Sequence, residues 1–78
     1  MQSGIIVYNS FPMNITINGE QRTLEDGLNL QQLITLLELE NKRLAIEVNM
    51  EIVPRSEHAT YTLKQDDKVE IVQAIGGG

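Results

Sequence analysis

The 78-residue sequence predicts an α+β fold, a mixed sheet of four to five strands packed on one main helix. Three observations carry this. Apolar and polar residues alternate over residues 13–17 and run into Asn18-Gly19; Leu30, Leu33, Ile34 and Leu37 recur at helical spacing; and residues 69–75, VEIVQAI, are apolar on both faces. A chain this short buries only about 60% of its extended surface, enough for a single core. A multi-domain enzyme is excluded, and little stability is left for a deep pocket of strained or unsatisfied groups.

Residues 1–12, MQSGIIVYNSFP, hold one apolar run at 5–8 and then the turn-prone Asn9, Ser10 and Pro12. A poorly ordered leader is expected there, because the regular pattern begins at Met13, which would itself serve as a start. From Met13, the set Met13, Ile15, Ile17 alternates with Asn14, Thr16, Asn18, the period of a strand with one buried face. Asn18-Gly19 supplies the left-handed positions of a tight hairpin turn, and residues 20–24 return antiparallel.

Glu25-Asp26-Gly27 breaks the ladder. Asn29 then caps a helix, with Gln32 three residues on to complete a capping box, and Leu28 and Leu33 stand at the positions of a hydrophobic staple. The helix is expected over roughly 30–39, packing its leucine stripe on the sheet. A coiled-coil seam would need more heptads than about three turns provide.

Leu44, Ile46 and Val48 alternate with Ala45, Glu47 and Asn49 as a third strand, and Asn49-Met50 turns into the short apolar pair Ile52-Val53, halted by Pro54. Residues 55–59 read as a turn or a single helical turn. Tyr61 and Leu63 precede a turn at Asp66-Asp67, and residues 69–75 form a last strand that is wet on neither side. Such a strand sits in the middle of its sheet. It leads straight into Gly76-Gly77-Gly78, which gives a domain at 13–75 and a flexible tail at 76–78.

Six Lys and Arg against eleven Asp and Glu give a net charge of −5, and Arg22, Lys42, Arg43, Arg55, Lys64 and Lys68 are scattered along the chain. Phosphate backbones and anionic membranes require concentrated positive charge, so neither nucleic acid nor membrane is an expected partner. The absence of Cys removes disulfides, thiolate metal sites and a thiol nucleophile. With no signal peptide and no apolar run of membrane-spanning length, a cytoplasmic location is expected.

Catalysis by the chain itself is not expected, since no nucleophile elbow, phosphate loop or metalloprotease motif occurs. His58 reads as a partly exposed turn residue; a metal would need three or four converging ligands, which His58 and Glu57 do not make, so no metal site is assigned. Glu38, Glu40, Glu47, Glu51 and Glu57 read as solvated faces, some of them able to steer a basic partner. Ile52, Val53, Val72 and Ile75 lie near one end of the sheet. With a helix on one face only, Val53, Val72 and Ala74 are expected to form an exposed apolar patch, and Val53, Val72 and Ile75 are the candidate docking residues.

The triglycine is the other unusual feature. Three glycines stabilise nothing, but a tail without side chains can thread a narrow channel, reaching roughly 10 Å at about 3.3 Å per residue. It would deliver the Gly78 carboxylate into another protein's active site. A carboxylate is a poor acyl donor; adenylation by ATP replaces its leaving oxygen with a phosphate-type leaving group, which a sulfur nucleophile can displace to give a thiocarboxylate.

Residues 13–78 resemble the ThiS family of bacterial sulfur carrier proteins of thiamin biosynthesis, within the β-grasp (ubiquitin-like) superfamily. MNITINGE at 13–20, LAIEVNMEIVPRSEHA at 44–59 and VEIVQAIGGG at 69–78 carry the resemblance. Asn49 with Ile52-Val53-Pro54-Arg55 is its most telling internal part, and residues 1–12 depart from the family pattern. The resemblance implies a protein co-substrate rather than an enzyme. In the family, an E1-like adenylyltransferase, ThiF, uses Mg-ATP to adenylate the C-terminal glycine, sulfur reaches it from cysteine through a desulfurase, and the thiazole synthase ThiG consumes the sulfur. By position, Gly78 is the modified residue, and Gly76 and Gly77 thread the channel. The small subunit of molybdopterin synthase and a ubiquitin-like modifier are the alternatives, with the NMEIVPR stretch favouring the thiamin branch.

Overall fold

The computed structural model of the protein describes residues 12–74. The expected leader up to residue 11, together with Ile75, Gly76, Gly77 and Gly78, lies outside the described residues. Pro12, assigned above to the leader, instead opens the first strand, β1 (Pro12–Ile17), opposite Glu25 of β2 (Glu20–Glu25). A proline is tolerated at the first residue of a strand, where no ladder donor is needed. Between the two strands, Asn18 and Gly19 both take positive φ, 49° and 84°, so the twist of the turn matches that of the hairpin.

Helix α1 (Leu30–Leu36) begins as expected. The Gln32 amide donates to the Asn29 side chain (2.8 Å), and the Asn29 amide donates to the Gln32 side chain (2.9 Å). Its end comes three residues earlier than the apolar spacing suggests. Glu38 adopts φ 61°, the Leu39 amide donates to the Ile34 carbonyl (2.9 Å) and the Glu38 amide to the Thr35 carbonyl (3.0 Å). This is a Schellman ending, normally built on glycine, and the hydrophobic period cannot reveal it because Leu37 and Leu39 pack on the core from beyond the last turn.

Strand β3 (Leu44–Val48) pairs with the two-residue β4 (Glu51–Ile52) across the Asn49-Met50 turn, and a 3-10 turn at Arg55–Glu57 follows. The last strand, β5 (Lys68–Gln73), runs parallel to β1 and antiparallel to β3. The sheet order is β2-β1-β5-β3-β4, with β5 in the middle as its sequence predicts. One face carries Met13, Ile15, Ile17, Ile46, Val48 and Val69 against Leu30, Leu33, Ile34 and Leu63. This is the α+β, β-grasp arrangement that the resemblance implies. The outer face of β5 is open, against the expectation of a strand wet on neither side: Lys68 and Glu70 are exposed there, and Val72 is exposed as its place on the expected apolar patch requires.

Two residues of the segment after β4 are buried against expectation. His58 is only 4% exposed, because the 3-10 turn folds it beneath α1, where the Gln31 amide donates to its carbonyl (3.0 Å). Val53, expected on an exposed patch, is 5% exposed and belongs to the core; its amide donates to the Ile46 carbonyl (2.9 Å), which holds its side chain on the inner face. Among the described residues no helix is long and apolar enough to cross a membrane.

Candidate functional site

The end of β5 is the part of the described structure nearest in sequence to the three glycines at 76–78. On one side β5 ladders with β3 from Val69↔Val48 to Gln73↔Leu44, and the Ala74 amide then donates to the Arg43 carbonyl (2.9 Å). On the other side β1 pairs with β5 only at Thr16↔Lys68 and Ile17↔Val69. Asn18 continues the ladder with its side chain: the Ile71 amide donates to its Oδ1 (2.8 Å) and its Nδ2 donates to the Ile71 carbonyl (3.2 Å). The turn residue thus has a second role that alternation alone does not disclose. Four residues follow Ala74, the last described position, and a chain of four spans at most about 13 Å.

The start of β5 is fixed by a second asparagine. Asn49, at φ 52°, donates from Nδ2 to the Asp67 carboxylate (2.9 Å) and accepts from the Lys68 amide (3.0 Å), and its own amide donates to the Lys68 carbonyl (2.8 Å). Asp67, 8% exposed, also accepts from the Lys64 amide (2.8 Å). A buried carboxylate is costly unless it is hydrogen-bonded, and these two donors give each of its oxygens one bond. Partial burial, and then the carboxylates of Asp67 and Glu51, raise the nearby Tyr61 phenol above its ordinary value, so it stays neutral at physiological pH.

The outer face of the sheet follows from the register. Ala45 lies opposite Val72, Glu47 opposite Glu70, and Ile52 opposite Glu47. Val72 is 62% exposed, Ile52 71%, and Met50, at the β3-β4 tip, 90%. Ile52 thus stands on the open face where Val53 was expected. The register shows why: a two-residue turn pairs Val48 with Glu51, so Ile52 shares the outward parity of Glu47 and Val53 the inward parity of Ile46. Glu47 and Glu70 are like charges in directly opposed positions, an arrangement that costs sheet stability. Ile75, the third candidate docking residue, lies outside the described residues.

The basic residues, dispersed in sequence, are not all dispersed in space. Lys42, Arg43 and Arg55 line one cavity of about 280 Å³ between the end of α1 and the 3-10 turn. Among the described residues no group of three or more His, Cys, Asp and Glu side chains is placed to hold a metal ion.

Comparison with known proteins adds four findings. The model of the ThiS family matches residues 15–78. The chain is similar to the sulfur carrier protein ThiS of Bacillus subtilis, 32% identical over 65 residues, covering 82% of this chain and 98% of that one. It is also similar to a thiazole synthase of Paramagnetospirillum magneticum, 39% identical over 66 residues, covering 85% of this chain but only 20% of that protein. The chain therefore spans about a fifth of the thiazole synthase it matches. Among solved structures, the crystal structure of thiamine biosynthesis protein ThiS from Geobacter metallireducens superposes with a TM-score of 0.74 at 32% identity, over 85% of this chain and all of that one.

Proposed function

The chain belongs to the ThiS family, and from that membership we propose that it is a sulfur carrier of thiamin biosynthesis, with Gly78 as its working C-terminus. The match of the family model through the glycines to Gly78 is the observation that carries this reading. The fold supports it mechanically. Hydrogen bonds from Asn18, β3 and Arg43 hold the strand up to Ala74, so the tail starts from a fixed point on the sheet. Beyond it, Gly76 and Gly77 present no side chain to the walls of a partner's channel.

The chemistry asked of the tail is acyl activation. A Gly78 carboxylate oxygen attacks the α-phosphorus of ATP and pyrophosphate leaves, giving an acyl adenylate. A persulfide then displaces AMP to give an acyl disulfide, and a thiol attacks its carrier-side sulfur, so that the thiocarboxylate leaves and the thiol and the carrier sulfur end as a disulfide. A ThiF-like E1-type adenylyltransferase holds the Mg-ATP, a cysteine desulfurase supplies the sulfur, and a ThiG-type thiazole synthase consumes it. This chain is then a co-substrate. The synthase partnership is supported by the recurrence of a similar segment within proteins named thiazole synthase.

The partners dock, in this reading, on the open face beside the tail. Ile52, Val72 and Ala45 supply apolar contact, and the Glu47/Glu70 pair supplies a site for a guanidinium or ammonium group, which would relieve its repulsion. Intact-mass measurement after incubation with the adenylyltransferase, Mg-ATP and a sulfur source tests the central claim. A rise of about 16 Da confined to the C-terminal peptide, one oxygen exchanged for sulfur, is expected. An unchanged mass with an active adenylyltransferase would overturn it.

A further inference from the structure

We propose that the cavity lined by Gln31, Glu40, Lys42, Arg43, Arg55 and His58 is a binding site for a phosphoryl group. The protein carries a net charge of −5, yet three of its six Lys and Arg residues line this one cavity, against a single carboxylate, Glu40. Among the described residues none of the three forms an ion pair; the single salt bridge there joins Arg22 to Glu20. Unpaired cations of the same sign gathered round a concave surface repel one another, and an anion between them removes that repulsion. Two guanidinium groups favour phosphate in particular, because their planar forks match two of its oxygens at once.

His58 is the second, independent observation. It lines the cavity while 4% exposed, and its Nε2 lies 3.1 Å from the Val53 carbonyl. A carbonyl oxygen only accepts, so Nε2 carries the proton, and in the neutral ring Nδ1 is left with a free lone pair. Nδ1 has no hydrogen-bond partner among the described residues, and a buried polar atom without one calls for a ligand or a water. A protonated phosphate oxygen would donate to it, as would the O–H of a phosphomonoester monoanion. Gln31 also lines the cavity, and its side chain carries an amide donor. At about 280 Å³ the cavity has room for a phosphoryl group but is at the small end for a whole drug-sized molecule.

The site goes beyond the sulfur-carrier reading and does not depend on it. It does, however, sit at the root of the tail, because the Arg43 carbonyl is the acceptor for the Ala74 amide. Two sources of a phosphoryl group fit the same chemistry, free phosphate and a nucleotide.

The test is titration of the full chain, free of partners, with inorganic phosphate and separately with AMP, followed by amide chemical shifts at fixed ionic strength. Saturable shifts clustered on Gln31, Leu44 and His58 are expected, with binding weakened roughly tenfold by Arg55→Gln or by Arg43→Gln and unchanged by Lys64→Gln. Tighter binding of AMP than of phosphate would assign the site to a nucleotide, and equal binding to the phosphoryl group alone; either supports the site. Shifts that fail to saturate, or that respond to Lys64→Gln as strongly as to Arg55→Gln, would overturn it. Neither outcome bears on whether Gly78 accepts sulfur.

Discussion

Removing the Asn49 side chain should unfasten both ends of one lock, and two substitutions separate its parts. Asn49→Gly keeps the backbone free to hold φ 52° but deletes the bonds to the Asp67 carboxylate and from the Lys68 amide. The bond to a charged acceptor is worth about 1.5–3 kcal/mol and the neutral one about 0.5–1.5 kcal/mol. Water can reach the exposed Lys68 amide, whereas Asp67 is 8% exposed and keeps only the Lys64 donor, so the carboxylate bond dominates. The expected loss is about 2–4 kcal/mol, a large part of the stability of a domain this size. Asn49→Ala adds left-handed strain of about 1–2 kcal/mol. Part of that is offset because Gly loses about 0.5–1 kcal/mol more chain entropy on folding. Ala should therefore be the less stable of the two by roughly 0.5–1 kcal/mol. Urea unfolding at constant slope measures both differences, from the shift in midpoint. A Gly variant within about 0.5 kcal/mol of the parent would show that the side-chain bonds contribute nothing. An Ala variant no worse than Gly would show that the positive φ imposes no constraint.

Glu38→Gly should stabilise the domain by about 0.5–1 kcal/mol, since the Schellman ending holds Glu38 at φ 61°; a melting temperature that falls would refute the assigned strain. Leu33→Ala should cost about 2–5 kcal/mol because the side chain is fully buried on the core face of α1, and a melting shift near zero would remove it from the core. Val72→Thr, which keeps the β-branch and adds no charge beside Glu70, should leave urea stability within about 0.5 kcal/mol while weakening binding to the adenylyltransferase or the synthase; unchanged binding to both would take the open face out of the docking surface. Deleting Gly78, or adding one residue after it, should leave the melting curve unchanged and abolish thiocarboxylate formation, read by intact mass. Retained sulfur loading in either variant would refute the role of that carboxylate.

The elements that announce themselves by period or cap are legible in the sequence. Met13, Ile15 and Ile17 alternate onto the core, Asn18-Gly19 makes the turn, and Asn29 with Gln32 closes the capping box. What stays hidden depends on backbone choices that break residue preference. Glu38 and Met50 take left-handed angles normally given to glycine, at φ 61° and 72°, and nothing in their chemistry advertises it. Val53 and Ile52 are equally apolar, and only the two-residue turn decides which of them faces inward. His58 was hidden for another reason: a histidine in a turn becomes a buried one only when tertiary packing closes over it. The convergence of Lys42 and Arg43 with Arg55 is likewise a product of the fold, since about a dozen residues of chain separate them.

Several of these departures gather around β4 and the outer face of β5, and this bears on function. A sheet selected for stability alone would not oppose Glu47 to Glu70, leave Val72 and Ile52 in water, and place Met50 at a left-handed turn position, because each choice costs free energy in the isolated protein. The core behind them shows no such compromise: Leu30, Leu33 and Ile46 are completely buried and the strand ladders are in register. The same strand, β5, joins the two regions, with Val69 in the core, Glu70 and Val72 outside, and Gly78 four residues beyond Ala74 in the sequence. A partner that covers the outer face would neutralise the paired carboxylates and dry the exposed apolar side chains. It would do so at a fixed distance from Ala74, where the described strand leads on toward the glycines of the sequence. In the proposed function, the cost carried by the free protein would then be recovered on binding, which would couple recognition of the folded domain to delivery of a terminus that has no side chains of its own to be recognised.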